Sequence, residues 1–394
     1  MIMKVSEDIK GLPRLARISL IVFPLALLIA LVIILISIVS ANPAPLPGYG
    51  LEPPAPIISP IAAGNGISMV ITEDGSLWAW GLNNFGQLAD GTDIDRYHPV
   101  KIMDNIVSVS TNIGEITRSN RGDTLVAALS SDGTLYAWGV DIREMDSGGL
   151  FWVSNATPML RSVLSSPLAV MSNVSDFAVG NGRIFAITSD GTLWGWGIGV
   201  QGAHQPEPVQ LMDDVVASSG NRNLVITSDG TLWEWSNSVP EQVGTGIQES
   251  AYVVLVEIME NVMAVTTGRS HSFVIKNDGT LWGWGGNEFG QLGDGTTDFR
   301  PDPVHIMDDV IAVSAGFDHT VAITSDGALW EWGRNRWGHT HIMDNAVAVS
   351  AGASHTLAVT SDGALWAWGN TRLNANPSQN NPYPVRVMEG ILLP

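Results

Sequence analysis

The ten residues TSDGTLWGWG, Thr188 to Gly197, recur along the chain with small changes. Close copies begin at Thr72, Ser130, Thr227, Lys276, Thr324 and Thr360, which makes seven in all. A chain that restates itself in this way must stack or close like units rather than fold around one unrepeated core. The turn aspartates are Asp74, Asp132, Asp190, Asp229, Asp278, Asp326 and Asp362; six intervals cover 288 residues (362 − 74), a mean of 48. Each Asp-Gly pair, set between β-prone flanks, reads as a two-residue hairpin whose mirror-image turn needs positive φ at both central positions.

Alternation after the turn sends two rings to one face of the strand and a leucine with a small residue to the other. The second ring of each copy is Trp80, Trp138, Trp196, Trp235, Trp284, Trp332 or Trp368. With both faces apolar, each sheet needs cover on both sides, and the ring face of one should meet the leucine face of the next. Glu234 and Glu331 bring a charge to the small position, so those faces should be loosely covered or locally paired.

Upstream of the turns a second element recurs, clearest in HIMDDVIAVSAGFDHTVAI (His305 to Ile323) and HIMDNAVAVSAGASHTLAV (His341 to Val359). Each unit therefore offers three or four short strands separated by Gly, Asp and Asn turns, with no helical periodicity. Two of the connectors that follow the Trp strand read GQLADGT (Gly86 to Thr92) and GQLGDGT (Gly290 to Thr296). The succession G-x-x-H-[ST]-x-x-[IV], DG-x-LW-x-WG, G-Q-L-x-DG-T and P-x-x-[IV]-x-x-M resembles the regulator-of-chromosome-condensation (alpha-tubulin-suppressor-like) repeat family from Ile61 to the C-terminus. The resemblance implies an all-β fold, a seven-bladed β-propeller of four-stranded antiparallel blades. The ends argue for ring closure independently: PVRVMEG (Pro384 to Gly390) begins a unit, and IAAGNGISMVI from Ile61 lacks its beginning. Joining them yields one blade built from N- and C-terminal strands and removes the exposed edges an open stack would leave.

Residues 18–41 are almost unbroken hydrocarbon, long enough at ~1.5 Å per residue to span a core of roughly 30 Å as one transmembrane helix. Lys4, Lys10, Arg14 and Arg17 precede the segment and no further Lys or Arg appears until Arg96, which places residues 1–17 in the cytoplasm and the repeats outside. An uncleaved signal anchor is the favoured reading; cleavage after Val39-Ser40-Ala41 would release a secreted protein instead. Residues 42–60 are proline-rich and read as a semi-rigid spacer before the propeller, 61–394. Together these features suggest a membrane-anchored bacterial member of the family.

From Ile61 onward there are 15 Lys and Arg (19 − 4) against 36 Asp and Glu (39 − 3), so a nucleic-acid partner is disfavoured and a basic one favoured. Cysteine is absent, which excludes disulfides and thiolate chemistry. His271, His319 and His355 share one repeat position seven residues before the turn Asp, with Ile67, Arg183 and Arg222 there in other units. A radial repeat keeps such histidines apart, so a hydrogen bond to a neighbouring backbone carbonyl is expected rather than a zinc site. The acidic connectors Asp90 to Asp95 and Asp294 to Asp298 carry possible calcium ligands without the spacing of a dedicated loop, and read as solvated turns. No G-x-S-x-G, H-E-x-x-H or Walker lysine loop occurs, and no cofactor or metal is expected.

Where the repeat fails, recognition is expected. The second connector, Val140 to Val170, carries Phe151 and Trp152, and the fourth, Ser236 to Glu257, carries Tyr252. Trp337, between Arg334 and Arg336, would sit over a guanidinium, and Tyr97 lies in the first connector. Asn155 and Asn173 begin glycosylation sequons. The reading is a non-enzymatic extracellular scaffold whose face loops bind a protein or cell-envelope component. Two alternatives stay open: inhibition of a secreted enzyme such as a β-lactamase, which the resemblance suggests, and a propeller enzyme acting on polysaccharide through carboxylates near the channel.

Overall fold

The computed structural model describes residues 59–113, 124–140, 163–200, 203–238, 252–334, 336–371 and 381–394. Within them lie seven antiparallel sheets of four consecutive strands each. The first blade comprises β1 (Ile61–Ala63), β2 (Ile67–Ile71), β3 (Leu77–Gly81) and β4 (Arg96–Met103). The innermost strands of the others are β5 (Ile106–Thr111), β9 (Val174–Gly180), β13 (Val215–Ser218), β17 (Val262–Thr267), β21 (Val310–Ala315) and β25 (Ala346–Ala351). Each innermost strand neighbours the next, and β1 meets both β5 and β25, so the sheets form a closed seven-bladed ring around a central channel. Among the described residues no helix is long and apolar enough to cross a membrane. The expected anchor, 18–41, and the linker up to residue 58 lie outside those residues.

The hairpin turns differ from the two-residue expectation. In the first copy the Gly75 N–H donates to the Thr72 carbonyl and the Thr72 N–H to the Ser76 carbonyl, which leaves three residues, Glu73-Asp74-Gly75, in the loop. Only the glycine takes positive φ, +77° at Gly75, and this is the three-residue hairpin that ends in a left-handed residue. Asp74 avoids that region because its carboxylate is used within the loop, where it accepts from the Thr72 hydroxyl and the Ser76 N–H. The same two contacts hold Asp132, Asp190, Asp229, Asp326 and Asp362, whereas Asp278 accepts from the hydroxyl and N–H of Thr280.

Every seam between blades holds one apolar core, and the second tryptophan of each copy supplies its largest side chain. Trp80 meets Leu365 and Ala367 of the last blade, and Trp138 meets Leu77 and Ala79 of the first. Trp196, Trp235, Trp284, Trp332 and Trp368 repeat the arrangement against Leu135, Leu193, Leu232, Leu281 and Leu329. These seven rings are buried while the first ring of each pair is half-buried. Interlocking of ring face and leucine face is thus as the alternation predicts. Glu331 is buried and accepts from the Trp368 indole N–H at 3.2 Å, the local pairing expected at a charged small position. Glu234 is half-buried.

Closure departs from the expectation in one respect. PVRVM belongs to β28 (Asn381–Met388), the outer strand of the seventh blade, so no sheet takes a whole strand from the far terminus. The unit read from the sequence starts on an outer strand and runs into the next blade, one strand out of phase with the sheet. What crosses the gap is shorter. The Glu73 N–H donates to the Gly390 carbonyl, the Ile391 N–H to Gly363, and Ile391 bridges to Thr72. Ile106 makes the equivalent contact with Gly75 at the start of β5, so Ile391 supplies the first residue of the innermost strand of blade one.

Candidate functional site

Strand direction sorts the loops onto two faces. The Asp-Gly turns share one face with the turns into the next blade, where Asn105, Asn173, Asp214, Asn261, Asp309 and Asn345 take positive φ. The loops after each innermost strand share the other face with the connectors Gly86 to Thr92 and Gly290 to Thr296.

The connectors GQLADGT and GQLGDGT are built loops rather than solvated turns. Asn83 is fully buried: its amide nitrogen donates to Asp90 at 2.9 Å and its side-chain oxygen accepts the Leu88 N–H. Asp90 also accepts from Thr92 and forms an ion pair of 2.6 Å with Arg96, and Asn287, Asp294, Thr296 and Arg300 repeat the set. Burial works against the ionised form of Asp90 and Asp294, but these hydrogen bonds outweigh it and hold both carboxyls below their ordinary range. Their oxygens are already taken, and no cluster of three or more metal-ligating side chains occurs among the described residues. Addition of calcium is expected to leave the melting temperature unchanged. Asp90→Ala is expected to cost about 1–3 kcal/mol, because Asn83 and Arg96 lose their acceptor; a calcium-dependent shift in a melting curve would contradict this assignment.

The connectors also reach the next blade. The Gln87 carbonyl accepts the Trp138 indole N–H at 3.1 Å, and the Gln291 carbonyl accepts both the Trp332 indole at 2.9 Å and the Thr320 hydroxyl at 2.8 Å. Sequence reasoning passed over these glutamines, although GQL in both connectors was the available signal.

The recurring histidines form latches between blades, not a metal centre. His271 Nε2 is 3.0 Å from the Thr320 hydroxyl, His319 Nε2 is 3.1 Å from Thr356, and His355 Nε2 is 2.9 Å from Ser68. The partner is a hydroxyl, not the carbonyl anticipated. Since Thr320 gives its proton to Gln291, His271 must be the donor to Thr320, which fixes its tautomer. Burial pushes His271 down to about 3, so it is neutral. At the same repeat position Arg183 and Arg222 do use carbonyls, of Gly220 and Asn221 and of Ser270 respectively.

Of the residues expected to bind a partner, Phe151 and Trp152 lie outside the described residues, as do the side chains of Tyr252, Arg336 and Trp337. Tyr97 is half-buried on β4. Arg334 anchors what the structure does assemble. Its guanidinium lies 4.5 Å from the centre of the Phe289 ring and 2.8 Å from Asp318. Beside it Arg269 lies 4.4 Å over Phe317, and Phe299 is 66 % exposed. Burial raises Asp318, against the pull of Arg334 and Arg269. This patch at the edge of blades five and six sets two cations on aromatic rings in an otherwise acidic protein. Among the described residues Asp176, on β9, is the one carboxylate of an innermost strand.

Two models of the regulator of chromosome condensation (RCC1) repeat match the chain, one at residues 74–117 and 278–323, the other at 58–87, 264–291 and 346–373. The mouse regulator of chromosome condensation is 26% identical over 144 residues, 36% of this chain and 31% of its own. The ultraviolet-B receptor UVR8 of Arabidopsis thaliana is 30% identical over 141 residues, 36% of this chain and 29% of its own. The matched stretch thus spans about a third of the length of either relative, and both organisms are eukaryotes, which lends no support to a bacterial source. Among solved structures, human WBSCR16 superposes with a TM-score of 0.61 at 17% identity, over 79% of this chain and 94% of that one, a likeness of fold.

Proposed function

We propose that the chain, parts of which match models of the RCC1 repeat, is a non-catalytic scaffold that binds a protein or cell-envelope partner through its connector face. The observation that carries the reading is the Arg334–Phe289 and Arg269–Phe317 patch, in which Phe289 is itself exposed. Arginine on aromatic rings is the composition of interface anchors, and it stands on loops that rigid blades position. The irregular connectors with Phe151, Trp152 and Tyr252 extend the same face in this proposal. The apolar run 18–41 supplies the membrane anchor and the proline-rich segment the spacer, which holds the ring outside the cell.

Crosslinking and pull-down of the full chain from intact cells tests the binding reading. Arg334→Ala combined with Phe289→Ala is expected to cut recovery of the partner roughly tenfold or more, the loss that follows from about 1.4 kcal/mol. Undiminished recovery would move the contact off this face. Alkaline extraction of membranes tests the anchor separately: the chain should stay in the pellet, and deletion of residues 18–41 should release it.

A further inference from the structure

Four of the seven seams are built alike at their innermost ends. Ala217 packs with Val265, Ala264 with Val313, Ala312 with Val349, and Ala348 with Ile61, each pair closing its seam toward the channel with apolar groups. Between the third and fourth blades the same two positions are Asp176 and Ser218. Register confirms that they share a seam: Asp176 pairs across strands with Ile187 on β10 (Arg183–Thr188), and Ser218 pairs with Val225 on β14 (Leu224–Thr227). Ile187 and Val225 belong to one core cluster, and cross-strand partners share a face. Both polar side chains therefore enter the inner end of that core.

Neither is satisfied there. The Ser218 hydroxyl is buried with no hydrogen-bond partner. The Asp176 carboxyl has only the main-chain N–H of Phe177, and burial raises it to about 7. The residue retains some accessible surface while protein atoms crowd its carboxyl, as expected at a channel wall. No counter-ion is at hand: among the strands packed against β9, namely β5, β10, β13 and the strand Leu125–Ser130, the sole charged side chain is Arg183. That guanidinium is spent on the carbonyls of Gly220 and Asn221 and on the Asn223 side chain. An unpartnered hydroxyl and an unpaired acid, brought to one seam where four others hold alanine and a branched aliphatic residue, mark a place that is incomplete without a donor-rich cation.

We propose that this seam end is a pocket for a primary ammonium group entering from the channel, the end of a lysine side chain or of a small alkylamine, bound between the Asp176 carboxylate and the Ser218 hydroxyl. An ammonium carries three N–H donors and no acceptor, which suits one carboxylate, one hydroxyl and a solvent or main-chain oxygen. A divalent metal is a poorer fit, since calcium takes six to eight oxygens and one carboxylate with one hydroxyl falls short. Binding draws the Asp176 proton off near neutral pH, so uptake of the cation releases a proton.

The test uses the full chain at pH 7 with n-butylammonium, with N-acetyl-lysine amide, and with tetramethylammonium, which carries charge without N–H donors. Isothermal titration in two buffers of different ionisation enthalpy should show saturable binding of the first two with proton release, and none of the third. Asp176→Asn should abolish binding, and Ser218→Ala should weaken it roughly tenfold. Asp176→Ala with Ser218→Val installs the kind of pair seen in four other seams; it should melt higher than wild type and bind neither amine. If butylammonium binds but the lysine derivative does not, the source is a free amine rather than a protein side chain. Equal binding of tetramethylammonium, or unchanged butylammonium binding in Asp176→Asn, overturns the proposal, and calcium binding that requires Asp176 would replace it with a metal site.

Discussion

Replacing Trp332 by alanine is expected to lower the unfolding free energy by about 3–5 kcal/mol, the range for removing a large buried aromatic from a core that only partly collapses. Trp332 is fully buried in the seam between blades five and six, edge-on to Phe273 at 6.1 Å and tilted against His339 at 4.7 Å. Its indole N–H is also lost to the Gln291 carbonyl, so the connector of blade five is loosened together with the core. Trp330, the half-buried first ring of the same copy, is the control and should cost about 1–2 kcal/mol, because much of its surface stays wet in the folded state. Urea unfolding of the two variants decides the matter. Equal losses at the two positions would mean that the seams are not held by the inner ring.

The second large effect is a hidden dependence on pH. His271 is buried and pushed down to about 3 from an ordinary 6.5, so the unfolded chain takes up its proton first and stability is lost as pH falls from 6.5 toward 3. At pH 5 this amounts to about 2 kcal/mol (1.36 × 1.5). Asp176 runs the other way. Its folded value is raised to about 7 from 3.8, so the folded protein is protonated first and stability is gained as pH falls through 7. Between pH 7 and 5 the gain is again about 2–3 kcal/mol (1.36 × 2). The two nearly offset each other, and the wild-type profile should be shallow. Asp176→Asn should be more stable than wild type at pH 8 and should lose about 2 kcal/mol or more on going from pH 6.5 to 5. Adding His271→Gln to that variant should flatten most of the slope, the remainder falling to His319, which burial also lowers. A parallel pair of profiles for wild type and Asp176→Asn would show that the aspartate titrates normally.

What the sequence disclosed and what it withheld follow from the range of the interactions. The Asp-Gly turn, the buried ring and the leucine face are set within about ten residues, and the repeat made each visible seven times. The loop runs to three residues rather than two because the Asp74 side chain, by accepting from Thr72 and Ser76, spares that residue the positive φ that a two-residue turn would demand. The histidine latches were seen as a recurrence, but their partners Thr320, Thr356 and Ser68 stand 49, 37 and 287 residues away. Arg334 stands near Trp337 in the sequence, and a ring it lies over, Phe289, comes from the preceding blade. Asp176 and Ser218 are unremarkable one at a time. Only the register of two strands in different blades brings them to one seam.

The bridge from Ile391 to Thr72 bears on how the molecule is made. Thr72 leaves the ribosome 319 residues (391 − 72) before the residue that bridges to it. At roughly 5–20 residues per second, synthesis keeps the first blade waiting for about 16–64 s. During that time the leading blade presents Trp80 and an unfinished sheet edge, and the later blades can assemble on its other side. The ring shuts only once Ile391 has emerged, so a nascent chain stalled before it would expose the seam between the last blade and the first, where a chaperone or a neighbouring copy could intrude.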